Sequence, residues 1–313
     1  MKLRYCLAMS IMAFFIPVLQ AQDSKPASPN QPFMIILGTL QDGGSPHLGC
    51  EKDCCKTINP DKKVTSLGLI DPGNGKRFLF EASPDITSQL KSLNRAHPAK
   101  NNIAPDGIFL THAHIGHYAG LIFLGREAMN SKDVPVYAMP KMKLFLENNG
   151  PWSQLVSLNN IRINPMSEGK WEDISPTLKV KPLLVPHRDE FSETVGYIIA
   201  GPNKKVLFIP DIDKWEKWRT NIVALIKEVD HALIDGTFFS AAEVNNRNIA
   251  EIPHPLVQES MQLFDSLPAK EKEKIIFIHF NHTNPLLDEA SKEARLVKSK
   301  GFRIADFNLQ IGL

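Results

Sequence analysis

The sequence predicts an α/β fold in which two sheets are covered by helices. Short runs rich in Ile, Val and Phe recur along the chain, and each has strand length and ends near Gly, Pro, Asp or His. Between several of these runs lie segments with apolar residues at three- and four-residue spacing, as in amphipathic helices. Strands interspersed with helices are typical of layered α/β domains, and about 290 residues suffice for one large core.

The elements follow one another in a regular order. The predicted strands are 33–39, 76–82, 107–112, 134–139, 178–187, 195–200, 204–211, 231–236, 274–280 and 302–307. The predicted helices are 85–95, 141–149, 214–229, 254–267 and 287–300. Four strands end in polar residues that can act chemically, namely His112, His187, Asp211 and His279. Because ligand sites are built at strand ends and in the loops that follow, we expect these side chains to form one site.

The first 21 residues have the pattern of a secretory signal peptide. Lys2 and Arg4 precede an apolar stretch at 6–19, and Ala21 stands at the expected cleavage point. The stretch is shorter than the roughly 20 residues that a membrane-spanning helix needs. We therefore expect export to the periplasm or beyond, a linker at 22–32 rich in Pro, Ser, Asn and Gln, and one domain at 33–313.

The charges of the chain are balanced. The 36 basic and 34 acidic side chains become 34 of each when residues 1–21, with Lys2 and Arg4, are removed. A chain without excess positive charge is a poor candidate for binding nucleic acid or an anionic membrane. We expect a small-molecule or peptide-derived substrate as the partner, and no stable membrane insertion after signal cleavage.

The segment THAHIGHYAG at 111–120 holds three histidines within six positions: His112, His114 and His117. Imidazole is the commonest metal ligand, and Zn²⁺ takes it together with carboxylate oxygen. A lone histidine is more often a surface or core residue. Three of them directly after a buried strand predict a metal site.

The His-x-His-x-Gly-His motif resembles the His-x-His-x-Asp-His motif of the metallo-β-lactamase superfamily, and later motifs follow in order. His187 in VPHRDE, Asp211 in FIPDID and His279 in FIHFNHTNP match the family's later ligands. The resemblance implies the αββα sandwich. The segments EASPDI, LIDGTFFSAAE, IPHP and HFNHTNPLLDE resemble the pyrroloquinoline quinone (PQQ) biosynthesis protein B branch.

The resemblance implies a ligand for each motif position. His112, His114 and His187 would hold a first metal, His117 and His279 a second, and Asp211 would bridge them. Gly116 departs from the family, whose acid at this position binds the second ion. Three interpretations are open: one metal only, two metals with Asp42 or Asp213 as the substitute acid, or a different metal such as iron, because His/Asp sites accept Zn, Mn or Fe.

The segment HLGCEKDCC supplies Cys50, Cys54 and Cys55. Cys6 leaves with the signal peptide, so a disulfide would leave one thiol unpaired. A closed zinc site fits three clustered thiols better, and it needs a fourth ligand. The loop resembles the structural zinc loop of the superfamily's phosphodiesterase branch, which implies His282 as the fourth ligand; His47 is the alternative.

These ligands predict a metal-dependent hydrolase that cleaves an ester-type bond, either in a phosphodiester or in a lactone. Asp211 would be the catalytic residue that orients water and takes its proton. Zn²⁺ is the expected structural ion and the expected catalytic ion, with Fe or Mn as alternatives at the catalytic site. The other interpretations are an iron-dependent oxidative enzyme related to PQQ maturation and a non-catalytic metal-binding protein.

Overall fold

The computed structural model describes residues 29–57, 59–99, 103–244 and 251–313. The signal peptide predicted at 1–21 lies outside the described residues, as does the linker up to residue 28. The end of the linker lies beside the C-terminus, where Gln31 Nε2 donates a hydrogen bond to the Leu313 carbonyl at 2.9 Å. Within the described ranges, no helix combines the length and the apolar character needed to cross a membrane.

The first sheet contains the N-terminal strands and the last strand of the chain. In chain order these are β1 (Phe33–Gly38), β2 (Ser66–Asp71), β3 (Lys76–Phe80), β4 (Gly107–Phe109), β5 (Val134–Ala138), β6 (Ile161–Pro165) and β14 (Gln310–Gly312). Their spatial order is β14-β1-β2-β3-β4-β5-β6. Strands β3 to β6 run parallel to one another, so their carboxyl ends lie at one edge.

The second sheet is formed by the C-terminal half. Its strands are β7 (Glu172–Asp173), β8 (Lys179–Leu184), β9 (Val195–Ala200), β10 (Lys205–Ile209), β11 (His231–Asp235), β12 (Ile275–Ile278) and β13 (Arg303–Ile304). They lie in the order β13-β12-β11-β10-β9-β8-β7. Strands β10 to β13 are parallel, which brings the residues after β10 and β12 to the same edge.

Helices cover the sheets, as the αββα prediction requires. They are α1 (Ile86–Ala96), α2 (Ile115–Tyr118), α3 (Pro140–Asn148), α4 (Trp152–Ser157), α5 (Ile222–Lys227), α6 (Val257–Leu263), α7 (Ala269–Lys272) and α8 (Lys292–Ser299). The two sheets with flanking helices confirm the predicted fold class.

The core lies between the two sheets and continues beneath the helices of the first. Alternation along β3 shows this division, because Phe78 and Phe80 belong to the cluster between the sheets and Leu79 to the cluster under the helices. The Phe80 ring meets Tyr197 of β9 edge-on, with centroids 5.5 Å apart. The Tyr197 hydroxyl donates to the Leu110 carbonyl, directly before the histidine segment. The core therefore fixes the backbone that carries the candidate site.

Strands β2, β6, β7 and β14 were missing from the prediction. The β2 segment SLGLID contains Gly68, which reads as a strand breaker in sequence. In the structure a Cβ at this position would lie 2.7 Å from Leu93 of α1 and 2.9 Å from Ile35 of β1. The glycine allows the helix to pack closely on the sheet.

The prediction of a single helix at 214–229 is wrong, because the segment forms two shorter elements. Its second half forms α5, and the Asn221 side chain caps that helix by accepting a hydrogen bond from the Ala224 amide. Its first half forms one short turn at Trp215–Lys217. The Trp215 indole is buried there and donates to Ser260 Oγ at 2.9 Å. Burial of the indole and capping by Asn221 outweigh the helical periodicity.

We expect Phe109→Ala to destabilise the domain strongly. Phe109 is fully buried, and its ring stacks on Phe80 and Tyr137 with centroids 4.7 and 4.3 Å away. Truncating such a side chain costs about 3–5 kcal/mol in the free energy of unfolding, because a cavity remains. Urea unfolding measures the loss. Phe191→Ala is the control, since Phe191 is 62% exposed; an equal loss in both variants would contradict the proposed core.

Candidate metal centre

The ends of strands from both sheets carry the predicted ligands to one place. His112 and His114 follow β4, and His117 lies on α2 immediately beyond them. His187 follows β8, Asp211 follows β10, and His279 follows β12. These residues are separated widely in sequence and meet because the carboxyl ends of the two sheets converge.

Four of these side chains form a first ligand group whose donor atoms all lie within 4.8 Å of one another: His112, His114, His187 and Asp211. Nε2 of His112 is 2.8 Å from Nδ1 of His114. Oδ1 of Asp211 is 3.3 Å from Nε2 of His187, and Oδ2 is 3.4 Å from Nε2 of His112. Three imidazoles and one carboxylate converging on a point form a donor set suited to Zn²⁺.

A second ligand group contains Asp42, His117 and His279. Oδ1 of Asp42 is 3.0 Å from Nε2 of His117 and 3.6 Å from Nε2 of His279. Asp211 stands between the two groups, because its Oδ2 is also 3.8 Å from Nε2 of His117. The structure thus brings together all six residues that the motifs predicted and adds Asp42 to them.

The two acids considered as substitutes for an acid at 116 have different surroundings. Asp42 faces the ligands of the second group. The Asp213 carboxylate instead accepts hydrogen bonds from the Lys214 amide and the Lys217 ammonium, both at 2.7 Å. Asp213 is therefore engaged by its neighbours in the chain.

Residues beyond the ligands orient His279. The Thr237 hydroxyl lies 2.8 Å from Oδ1 of Asp235 and 3.0 Å from Nδ1 of His279. Because the hydroxyl donates its hydrogen bond to the Asp235 carboxylate, its oxygen accepts from Nδ1 of His279. With Nδ1 held in this way, Nε2 is the nitrogen that faces Asp42 and can serve as a metal ligand.

His254 lies beside the bridging acid and is buried. Its Nδ1 is 2.9 Å from Oδ2 of Asp235 and 3.1 Å from Oδ1 of Asp211. These two acids raise the pKa of His254 to about 10, although burial opposes the shift. The segments IPHP and LIDGTFFSAAE, which carry part of the family resemblance, are joined here by the hydrogen bond between His254 and Asp235.

Glu81 was not identified from the sequence. It is fully buried, and its Oε1 lies 3.5 Å from Nδ1 of His117, on the side of the ring opposite Asp42. Its backbone φ is 71°, and that of His279 is 69°. Non-glycine residues in this region store strain, which is common at functional sites. The segment EASPDI, which begins with Glu81, carries part of the family resemblance. Only the fold shows that the Glu81 side chain faces a histidine.

The charges of the centre favour a bound cation. Burial would raise the pKa of Asp211, but the His187 and His254 imidazoles hold it well below its usual range. Burial would lower the pKa of His117, but the Glu81 and Asp42 carboxylates raise it well above its usual range. His117 therefore sits where negative charge is in excess.

Buried polar atoms without hydrogen-bond partners converge on both groups. Among the described residues these atoms are Oδ1 of Asp42, Oδ1 of Asp211, and Nε2 of His117, His187 and His279. Leaving one buried polar atom unsatisfied costs about 1–3 kcal/mol. A cation would satisfy these lone pairs together, so the residues fit metal ions at both groups.

We expect Thr237→Val to weaken metal binding at the second group. The substitution keeps the shape of the side chain but removes the hydroxyl that fixes the His279 ring. Loss of such an outer partner costs about 10–100-fold in metal affinity. Competition with a chromogenic chelator measures it. Ser131→Ala is the control: it removes a buried hydroxyl that donates to the Leu124 and Asn160 carbonyls, and an equal loss of affinity in this variant would contradict the role of Thr237.

The cysteine loop forms a separate group in which Cys50, Cys54, Cys55 and His282 have donor atoms within 4.8 Å of one another. All three cysteines are free thiols. Burial and the neighbouring Cys55 and Cys50 thiols raise the pKa of Cys54 to about 11. Three cysteine sulfurs and one imidazole converging in this way form the donor set of a closed structural zinc site.

The structure distinguishes the two histidines considered as fourth ligand. His282 belongs to the group, and in the described part of the chain its Nδ1 is buried without a hydrogen-bond partner. The His47 ring stacks against His282 with centroids 4.4 Å apart, and its Nδ1 donates to the Leu48 carbonyl at 2.9 Å. His47 therefore supports the His282 ring from outside the group.

Comparison with known proteins gives consistent matches. The profile of the Beta-lactamase superfamily domain matches residues 76–280. Coenzyme PQQ synthesis protein B of Methylococcus capsulatus is 27% identical over 310 residues, covering 89% of this chain and 99% of that protein.

Solved structures show the same fold. The Zn²⁺-bound PqqB from Methylobacterium extorquens superposes with a TM-score of 0.74 at 23% identity, covering 90% of this chain and all of that one. A diphosphatase of the PhnP family superposes with a TM-score of 0.63 at 19% identity, covering 90% of this chain and 97% of that one.

Proposed function

Because the chain belongs to the beta-lactamase superfamily domain family, as a PqqB-like protein of metallo-β-lactamase fold, we propose that it is a metal-dependent hydrolase of an ester-type bond. The membership confirms the resemblance inferred from the motifs. A phosphodiester or a lactone is the proposed substrate class, carried by a small molecule or a peptide-derived compound. The diphosphatase of the same fold supports hydrolysis as the reaction type.

One observation carries the proposal: Asp211 lies between two ligand groups, with one oxygen toward His187 and the other toward His112 and His117. A purely structural metal site is closed by its four ligands and needs no shared carboxylate. A carboxylate shared between two ligand groups is the arrangement that two-metal hydrolysis uses.

The chain's own residues supply orientation and proton transfer. When bound, a divalent ion supplies Lewis acidity, which lowers the pKa of water toward about 7 and polarises the bond under attack. Asp211 would orient the attacking water and accept its proton. The buried pair of His254 and Asp235 holds the Asp211 carboxylate in place from behind.

We propose zinc for the Cys50, Cys54, Cys55 and His282 site and for the catalytic centre. The related PqqB structure is bound to Zn²⁺, which supports zinc. The three thiols with one imidazole also suit this ion. Iron and manganese also accept the His/Asp donors of the centre. The curated relatives are called coenzyme PQQ synthesis proteins, which favours a step in that synthesis as the second candidate function.

We also propose that the chain is exported. The support is Lys2 and Arg4 before the apolar stretch, with Ala21 at the expected cut. Expression in a bacterium, followed by fractionation and N-terminal sequencing, tests this. A mature chain that begins near Gln22 in the periplasm is expected, and a full-length chain in the cytosol would contradict export.

The activity test compares wild type with His114→Ala on bis(p-nitrophenyl) phosphate and on a chromogenic lactone. Hydrolysis with Zn²⁺ or Mn²⁺ that is lost in His114→Ala is expected, because the variant lacks one ligand of the first group. Turnover only with iron and dioxygen would replace hydrolysis by oxidation. Tight metal binding without either turnover would make the protein a non-catalytic metal binder.

A further inference from the structure

We propose that Asp42, from the loop after β1, is the ligand that replaces the absent acid at position 116, so that the centre holds two ions. The inference rests on the proposed metal-dependent function. It deepens that function by assigning the second ion to Asp42, His117 and His279, with Asp211 shared. It also explains why residue 116 is glycine.

Gly116 is required for space and not for backbone conformation. Its φ is not among the positive values found in the described residues. A Cβ at 116 would lie 2.3 Å from Oδ1 of Asp42 and 2.7 Å from its Cα. Contacts this short do not occur, and a backbone atom cannot yield cheaply. The Asp42 carboxylate therefore occupies the volume that any side chain at 116 would fill.

The position of Asp42 is fixed by strand-like pairing with the segment that follows His279. The Gln41 amide donates to the Phe280 carbonyl at 2.8 Å, and the Phe280 amide donates to the Thr39 carbonyl at 2.7 Å. These bonds hold residue 42 beside residue 279. The carboxylate thus reaches the ligands from a rigid backbone, as a preorganised metal site requires.

Among the described residues, the carboxylate of Asp42 contacts the imidazoles of His117 and His279, at 3.0 and 3.6 Å. Asp42 Oδ1 is buried and, within the described chain, makes no hydrogen bond. A cation placed between this oxygen and Nε2 of His117 and His279 would satisfy all three buried atoms.

The same loop runs on from Asp42 to the cysteine site. The Gly44 amide donates to the Gln41 carbonyl at 2.9 Å, and the Cys50 amide donates to the His47 carbonyl at 3.0 Å. The His47 amide also donates to Sγ of Cys55 at 3.2 Å. The zinc site proposed there would hold the far end of the loop that presents Asp42.

The experiment counts metal ions per chain by mass spectrometry of the full mature chain. Each protein is purified, loaded with excess Zn²⁺ and dialysed against metal-free buffer. Wild type is expected to retain three ions: two in the centre and one on the cysteines. Asp42→Ala is expected to retain two. Gly116→Ala is also expected to retain two, since its methyl displaces the carboxylate while Asp42 remains.

Two matched controls accompany these variants. Asp213→Asn changes the other acid and is expected to retain three ions. Gly73→Ala adds a methyl where the nearest atom is 3.4 Å away and is also expected to retain three. Thermal midpoints, together with retention of the other two ions, show that Asp42→Ala and Gly116→Ala are folded.

The outcomes separate this inference from the function on which it rests. Loss of one ion in both Asp42→Ala and Gly116→Ala supports the assignment. Full retention in either variant, loss in Asp213→Asn, or a wild type with a single ion in its centre overturns the assignment of Asp42 and leaves the proposed hydrolysis standing. A wild type with no ion in its centre overturns the proposed function itself.

Discussion

Replacing Asp211 by asparagine is expected to lower turnover by about 10²–10⁴-fold, the contribution typical of a general base. The two oxygens of Asp211 reach both ligand groups. An amide keeps the shape but cannot accept the proton of water and binds a cation weakly. The measurement is kcat on the substrate that wild type hydrolyses, with excess Zn²⁺ to separate weak metal binding from slow chemistry.

The matched control is Asp213→Asn, two residues further on. Asp213 forms an ion pair with Lys217 at 2.7 Å and lies outside both ligand groups. Its replacement is expected to leave kcat within about threefold, since surface ion pairs contribute little. If Asp211→Asn retained kcat at full metal occupancy, Asp211 would not be the catalytic residue.

Replacing Cys54 by serine is expected to remove one ion per chain and to destabilise the loop at 41–57. Loss of a residue that hydrogen-bonds to a ligand lowers metal affinity about 10–100-fold. Loss of a ligand itself is expected to lower it further. Because binding of a structural ion stabilises the folded state, its loss also lowers the free energy of unfolding. Metal content, thermal midpoint and limited proteolysis of the loop measure these effects.

Histidine variants test the fourth ligand of the same site. His282→Ala is expected to lose the ion like Cys54→Ser, because His282 donates to the group. His47→Ala is expected to keep it, because His47 only stacks on His282. The reverse result would make His47 the ligand. Retention in all three variants would remove the proposed site.

The positions of the ligands were predictable because each follows an apolar run that has to be a strand. His112, His187, Asp211 and His279 stand at strand ends, and parallel strands bring such ends together. Cys54 and His282 were paired through the resemblance of two distant motifs. The structure brings together the ligands of the centre and those of the cysteine site as the sequence indicated, and metal binding at both stays a prediction.

The parts that sequence could not predict depend on distances between backbones. Asp42 was one of two candidate acids, and the choice requires knowing that its loop passes beside Gly116. Glu81 is buried against His117 only because β3 ends next to α2. The helix predicted at 214–229 failed for a related reason, since burial of Trp215 against Ser260 outweighs local periodicity.

The most direct test of the central claim is anomalous diffraction from crystals of the purified protein, recorded across the zinc, iron and manganese absorption edges. We expect a peak about 2.0–2.2 Å from Nε2 of His112, Nδ1 of His114 and Nε2 of His187, with Asp211 beside it. This result would place the ion where the chemistry is proposed. Crystals of metal-loaded protein with no anomalous peak among these residues would contradict the claim.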